Sequence, residues 1–444
     1  MQLKWVIVGR KAPFTIKKTQ GRFVYQKTVL DNGLRIVSST MPHTRSVCIS
    51  IFIGAGSRYE MSQEAGLSHF VEHLCFKGTE RRPTAKEISE AIDGVGGVLN
   101  GGTDKELTVY WIKVARPHFP VALDLLVDMI RHSKFDSVEM ENERKVIIEE
   151  LNMSMDSPQS RVDMIIDEVV WPDQALGRDV AGSKDTVTAI NRRMILDYLP
   201  RFYLPGNSVV SVAGDISHDE VVDAVGKALG DWNGGVSGNL FPAEDSQDRP
   251  RLRIESRKTE QVHLCLALRG LSHMHPDRFV LDLLNVVLGE GMSSRLFLEL
   301  REKKGLAYDV HSHVSYFRDS GSLAVYAGVD PKKVELTLEA VLKELIRLRD
   351  DRIPEAEVVK AKEMGKGRLL LRMEDTRSVA GWIGGQELLT GRILTVDEVV
   401  SIVDAITDSE MQRVARELFL TSKLNMALVG PVRNKGRLER LLKI

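Results

Sequence analysis

The sequence carries His69-Phe-Val-Glu72-His73, a set of side chains that could hold a metal ion with a water beside it. On a helix, residues four apart share a face, so both imidazoles can reach one cation. Glu72, three residues from His69 on the same side, is placed to take a proton from a water bound there. A catalytic zinc ion wants three protein ligands and one open position, so two histidines are one ligand short. The stretch Glu143-Arg-Lys-Val-Ile-Ile-Glu149-Glu150 offers the third. Glu143 and Glu150, seven residues apart, fall on one stripe of a helix whose Val146, Ile147 and Leu151 are expected to pack inward. Two acids on an apolar stripe are costly unless something neutralises them; a zinc ion and a ligating histidine N–H would do so. Glu150 is therefore assigned as the third ligand, and Glu143 as the carboxylate that orients one of the histidines. Glu149 lies about 100° around the helix from Glu150 and is the weaker candidate. A purely structural zinc site would close the fourth position with Cys or His. Cys75 is the only thiol nearby, and two residues past His73 it falls off the ligand face.

These side chains need a scaffold, and the sequence around them reads as mixed strand and helix. Val47, Ile49, Ile51 and Ile53 alternate as in a strand with one buried face. Leu67 to Phe76 reads as a helix, and a second opens at Thr84 with Glu87 completing a capping box. Leu107 to Val114 returns as a strand, and Phe119–His132 and Val138–Met153 are again helical. The chain also repeats itself at a constant offset of 216 residues. Val187-Thr-Ala-Ile-Asn through Ser208–Gly214 resembles Val403-Asp-Ala-Ile-Thr through Leu424–Gly430. Each copy reads as a short helix, an aromatic-containing loop and a buried strand ending in Gly. Ala115-Arg-Pro-His to Arg131 and Val329-Asp-Pro-Lys to Arg347 are a further matching pair at nearly the same offset. The fold class expected is α+β: two homologous sheet-and-helix sandwich halves in tandem. The halves span 1–235 and 251–444, joined by a Gly-, Asp- and Pro-rich linker at 236–250. Between His275 and His311 the second half has no histidine, so no metal site repeats there.

Bulk properties narrow the function. A chain of 444 residues fits two to four domains, and 43% hydrophobic with 28% charged residues is the make-up of a folded protein. Basic and acidic residues balance, 61 against 62, which leaves no electrostatic reason to bind nucleic acid. No run approaches the apolar length of a membrane span. The apolar run Trp5-Val6-Ile7-Val8 is too short for a secretory segment. Three scattered cysteines without a CxxC pair suggest a reducing, cytoplasmic setting. The glycines at 94, 96 and 97 do not make a nucleotide loop, because Leu99 stands where the third glycine belongs.

HxxEH, the inverse of the thermolysin-type HExxH, marks the inverzincins. With the spacing from His73 to Glu143 and Glu150, the chain resembles the pitrilysin, insulysin and mitochondrial processing peptidase family, as a short two-domain member of bacterial type. Leu30-Asp-Asn-Gly-Leu-Arg-Ile-Val37, Gly54-Ala-Gly-Ser-Arg-Tyr-Glu60 and Leu74-Cys-Phe-Lys-Gly-Thr79 extend the resemblance over nearly the whole chain. It implies one zinc ion per chain on His69, His73 and Glu150, with Glu72 as general base and Glu143 in support. It implies that Arg301 and Tyr308 grip the substrate and stabilise the tetrahedral intermediate, and that Asn100, Gly101, Gly102 and Thr103 form an edge strand that pairs with the peptide. The expected function is zinc-dependent endopeptidase action on short or unfolded peptides. Longer relatives close a chamber with four such domains, so a two-domain chain is expected to form a clamshell dimer. A homodimer sharing its active site is the simplest form, and a heterodimer is the other. The alternatives are a processing-type subunit of a heterodimer and a non-catalytic scaffold subunit of the same family.

Overall fold

The computed structural model describes residues 14–18, 24–432 and 434–444; the Trp5–Val8 run lies outside them. Two sheets organise the chain. The first contains β1 (Phe14–Lys18), β2 (Tyr25–Val29), β3 (Arg35–Thr40), β4 (Ser46–Ile53), β5 (Val98–Thr103), β6 (Thr108–Ala115) and β7 (Ser208–Gly214), in the order β1-β2-β3-β7-β4-β6-β5. The second contains β8 (Arg251–Glu255), β9 (Val262–Arg269), β10 (Ala307–Tyr316), β11 (Gly321–Val329) and β12 (Leu424–Val429), in the order β10-β11-β9-β12-β8.

The repeat is visible in this topology. Read from the far edge, β8-β12-β9-β11-β10 reproduces β3-β7-β4-β6-β5, with one parallel pair in each set. Arg35 stands opposite Val209 in the first sheet, and Arg251 opposite Asn425 in the second, both partners displaced by the same number of residues. The α+β fold with two like halves is therefore present. Among the described residues no helix is long and apolar enough to cross a membrane.

Five helices of the first half matter for the site: α1 (Leu67–Cys75), α2 (Ala85–Asp93), α3 (Phe119–His132), α4 (Ser137–Asp156) and α5 (Pro158–Val170). The Thr84–Glu87 capping box is formed at the start of α2, with the Thr84 side chain accepting the Glu87 N–H and the Glu87 carboxylate accepting the Thr84 N–H. The segments expected as aromatic loops before β7 and β12 are instead helices, Arg192–Phe202 and Asp408–Leu418. Asn191 and Thr407 cap them, and Ile195, Tyr198 and Phe202 give the first its buried stripe. Pro200 sits inside that helix, and a proline at that point breaks the pattern that would announce it.

The halves exchange helices. α5, from the first half, lies on β9, β12 and β8, where Val162, Ile165, Ile166 and Val169 pack against Cys265, Ala267, Tyr326 and Val429. The helix Thr376–Thr390, from the second half, lies on β3, β4 and β7. Ser211 Oγ donates to the Ala380 carbonyl at 2.7 Å, and Glu387 takes Lys27 at 2.6 Å. This covering accounts for a departure from the alternation expected of β4: its residues 47–53 are buried on both faces. The connection from Asn233 to Pro250 has no regular structure and is mostly exposed, yet it is tied to the body of the protein at single points. Arg58, fully buried, donates Nε to the Phe241 carbonyl at 2.9 Å and pairs with Glu106 and Asp319. Removing one member of such a buried pair costs about 3–5 kcal/mol, so this contact fixes the first half, the connection and the β10–β11 turn against one another.

Candidate metal centre

α1 is buried nearly all round: Leu67, Phe70, Val71, Leu74 and Cys75 enter the core, and Tyr110 Oη donates to Cys75 Sγ at 3.4 Å. The side left for chemistry faces α4 and β5, on both of which α1 packs. The Arg144 guanidinium lies 5.4 Å over the Phe70 ring and helps fix α4 against α1. His69, Glu72 and His73 therefore project into the space between α1, α4 and β5.

In that space His69 Nε2 and His73 Nε2 are 3.2 Å apart. Glu150 Oε2 is 3.9 Å from the first and 3.7 Å from the second. His73 Nδ1 is 3.0 Å from Glu143 Oε2, and Lys77 Nζ is 2.6 Å from Glu143 Oε1. With its Nδ1 proton committed to Glu143, a neutral His73 turns the Nε2 lone pair toward His69. Two imidazole nitrogens and a carboxylate oxygen converging in this way are held together by a shared proton or by a cation between them. The point equidistant from the three atoms is roughly 2 Å from each, the length of a zinc–nitrogen or zinc–oxygen bond. The donor set and its spacing therefore fit a zinc ion.

His69, Glu72 and His73 also bring ligand atoms within 4.8 Å of one another, which makes Glu72 a rival to Glu150 as third ligand. Geometry favours Glu150, because its carboxylate reaches both nitrogens. Glu72 Oε2 instead accepts the Thr103 hydroxyl at 3.2 Å. Electrostatics separates the two histidines. Burial, with His73 beside it, pushes His69 down to about 4. Burial also pulls His73 down, but the hydrogen bond to Glu143 and the charges of Glu72 and Glu150 outweigh it and raise His73 above the usual value. Glu143 is held below the ordinary carboxylate range, since the bonds from His73 and Lys77 overcome its burial. Burial raises Glu72 above that range, more than His73 and Thr103 lower it. Glu72 is thus a carboxylate on which a proton is stabilised.

The remaining residues expected at the site are placed as follows. Ile147 and Leu151 pack inward on α4, but Val146 does not; it is 43% exposed, because the buried side of the helix is the one that carries Met140, Glu143, Ile147 and Leu151. Glu149 is turned away and bonds Asn152 at 3.2 Å. Asn100, Gly101, Gly102 and Thr103 lie on β5, the edge strand of the first sheet. A Cβ on Gly101 would stand 2.9 Å from the Phe76 ring and 3.0 Å from Glu72 Oε1, so a side chain there would require the ring or that carboxylate to shift. Arg301 belongs to a π-helical stretch, Phe297–Lys303, and its guanidinium sits 4.9 Å from the Phe297 ring and 5.0 Å from that of Tyr308. Tyr308 is the extra residue of a bulge between Ala307 and Asp309 on β10, and is 75% exposed. Bulges and π-turns re-aim side chains. Among the described residues no hydrogen bond or ion pair joins Arg301 or Tyr308 to the histidine cluster.

Sequence reasoning missed Lys77, which lies in the turn just past the end of α1. It also missed the Thr103–Glu72 bond, which no local pattern encodes.

Comparison with known proteins gives consistent results. Residues 35–184 match the profile described as insulinase, peptidase family M16, and residues 189–364 that described as the peptidase M16 inactive domain. The chain is 38% identical over 403 residues to "Uncharacterized zinc protease YmxG" of Bacillus subtilis, covering 91% of this chain and 97% of that one. It is 36% identical over 426 residues to "Uncharacterized zinc protease SCO5738" of Streptomyces coelicolor, covering 95% and 92%. Among solved structures, a protease from Helicobacter pylori superposes with a TM-score of 0.87 at 24% identity, covering 92% of this chain and 99% of that one. A chain of complex III from Candida albicans gives 0.81 at 19%, covering 94% and 99%. At such identities these two likenesses concern the fold.

Proposed function

The chain belongs to the insulinase-type M16 peptidase family, and from that premise we propose that it is a zinc-dependent endopeptidase acting on short or unfolded peptides. The observation that carries this reading is the convergence of His69 Nε2, His73 Nε2 and Glu150 Oε2 beside the buried Glu72. When bound, zinc supplies a Lewis acid and a water of lowered pKa. Glu72 accepts the proton of the attacking water, holds it because its burial favours the neutral acid, and passes it to the departing amine. Thr103 holds the Glu72 carboxylate in place through its hydroxyl. Glu143, fixed by Lys77, keeps His73 in the tautomer that presents Nε2. The free edge of β5 offers main-chain hydrogen bonds to a peptide without reading its side chains. Arg301 and Tyr308 donate to the oxyanion and the neighbouring carbonyls. Among the described residues no hydrogen bond or ion pair joins them to the histidine cluster, and a site shared in a dimer, simplest as a homodimer closing a chamber, would bring the two sets together.

A non-catalytic scaffold role is the competing reading, favoured by the inactive-domain match. That match covers residues 189–364, outside the histidine and glutamate cluster. Hydrolysis of an unstructured peptide mixture, mapped by mass spectrometry, separates the two. The enzyme reading predicts internal cleavages that vanish with a chelator and return with one equivalent of zinc. A chain that binds zinc yet cuts none of the mixture supports the scaffold.

A further inference from the structure

The helix bearing the histidine pair begins without a cap of its own. Gly66, the residue before α1, has φ 93° and makes no side-chain cap, and a Cβ there would stand 2.5 Å from the Ala181 carbonyl oxygen. The position at which Ser, Thr, Asp or Asn ordinarily supplies an acceptor is thereby closed to them. The acceptors come from Glu60, which is 1% exposed. Its Oε2 accepts the Gly66 N–H at 2.9 Å, and its Oε1 accepts the Ser68 N–H at 2.6 Å. Glu60 is itself anchored, because the Arg178 guanidinium donates to its backbone carbonyl and, at 3.0 Å, to Ser62 Oγ. The chain just beyond Arg178 supplies the Ala181 and Gly182 backbone that presses on Gly66.

His69 is the third residue of α1 and lies in this borrowed-cap turn. His73 is one turn further on and tied independently to Glu143. The spacing of the two imidazoles thus depends on a first turn whose free N–H groups answer to Glu60. Ser68, whose N–H donates one of these bonds, also holds Tyr198 Oη at 2.9 Å through its hydroxyl, so the turn is gripped from both sides. We infer that Glu60 is a positioning residue for the metal centre, fixing the first turn of α1 and with it the 3.2 Å approach of His69 to His73.

The inference rests on His69 and His73 being zinc ligands, and the test keeps the two claims apart. Zinc Kd is measured by chelator competition for the full chain and for Glu60→Ala, Glu60→Gln and Thr84→Ala, each with its metal-free Tm. Thr84→Ala removes a comparable cap from α2, which carries no ligand. Glu60→Ala is expected to raise the zinc Kd by roughly 10–100-fold, the size of effect seen when support for a ligand is removed. Glu60→Gln, which keeps one acceptor, should fall between Glu60→Ala and the parent, and remains informative if the alanine variant does not fold. Thr84→Ala should lower Tm yet leave Kd within about twofold of the parent, since the sites are independent. Parent-like Kd in both Glu60 variants, with Tm lowered as in Thr84→Ala, overturns the inference. A parent chain that binds no zinc overturns the ligand assignment beneath it.

Discussion

Glu72→Gln is expected to lower kcat by about 10²–10⁴-fold, the contribution of a positioned general base, with bound zinc and KM close to the parent's. The amide is isosteric, so the contact with Thr103 and the narrow fit against Gly101 survive. What is lost is a group able to take and return a proton. Because burial disfavours the Glu72 carboxylate, the neutral amide relieves a desolvation cost, and Tm should hold or rise. That combination distinguishes the general base from a ligand, whose loss would release metal. Peptide turnover with metal analysis on the same preparation checks it; a Glu72→Gln chain that has lost its zinc would place Glu72 among the ligands.

Glu150→Ala is expected to do the opposite: weaken zinc by more than the roughly 10–100-fold typical of a supporting residue while leaving the metal-free chain as stable as the parent. Glu150 is partly exposed on α4, its side chain 44% accessible, so truncation opens no cavity. It leaves two imidazoles and no third anchor, and activity should return in part only with excess zinc. Chelator competition and metal-dependent turnover provide the check. If Glu150→Ala binds zinc as tightly as the parent, the third ligand lies elsewhere, with Glu72 the first candidate by proximity.

Local rules made much of this site legible. Four-residue spacing placed His69 and His73 on one face, seven-residue spacing placed Glu143 with Glu150, and a capping box marked α2. The repeat announced two like sheets because its copies keep the same strand-to-strand register. Less was legible wherever the decisive partner is remote in the chain. One face of β4 is buried by the core of its own half and the other by a helix more than three hundred residues downstream, and α5 serves a sheet of the other half. Pro200 concealed a helix that its buried Ile195, Tyr198 and Phe202 stabilise. Val146 is apolar like Ile147 and Leu151, yet faces solvent because the buried side of α4 is set by Met140, Glu143, Ile147 and Leu151. The cap on α1 went unread because the sequence signature is sought at Gly66, whereas the acceptor comes from Glu60.

Anomalous diffraction on either side of the zinc K edge, from crystals of the full chain, tests the metal assignment most directly. One peak per chain is expected, bounded by His69 Nε2, His73 Nε2 and a Glu150 oxygen at about 2.0–2.2 Å, with Glu72 outside the coordination sphere. No peak after zinc supplementation, or a peak on other residues, would contradict it.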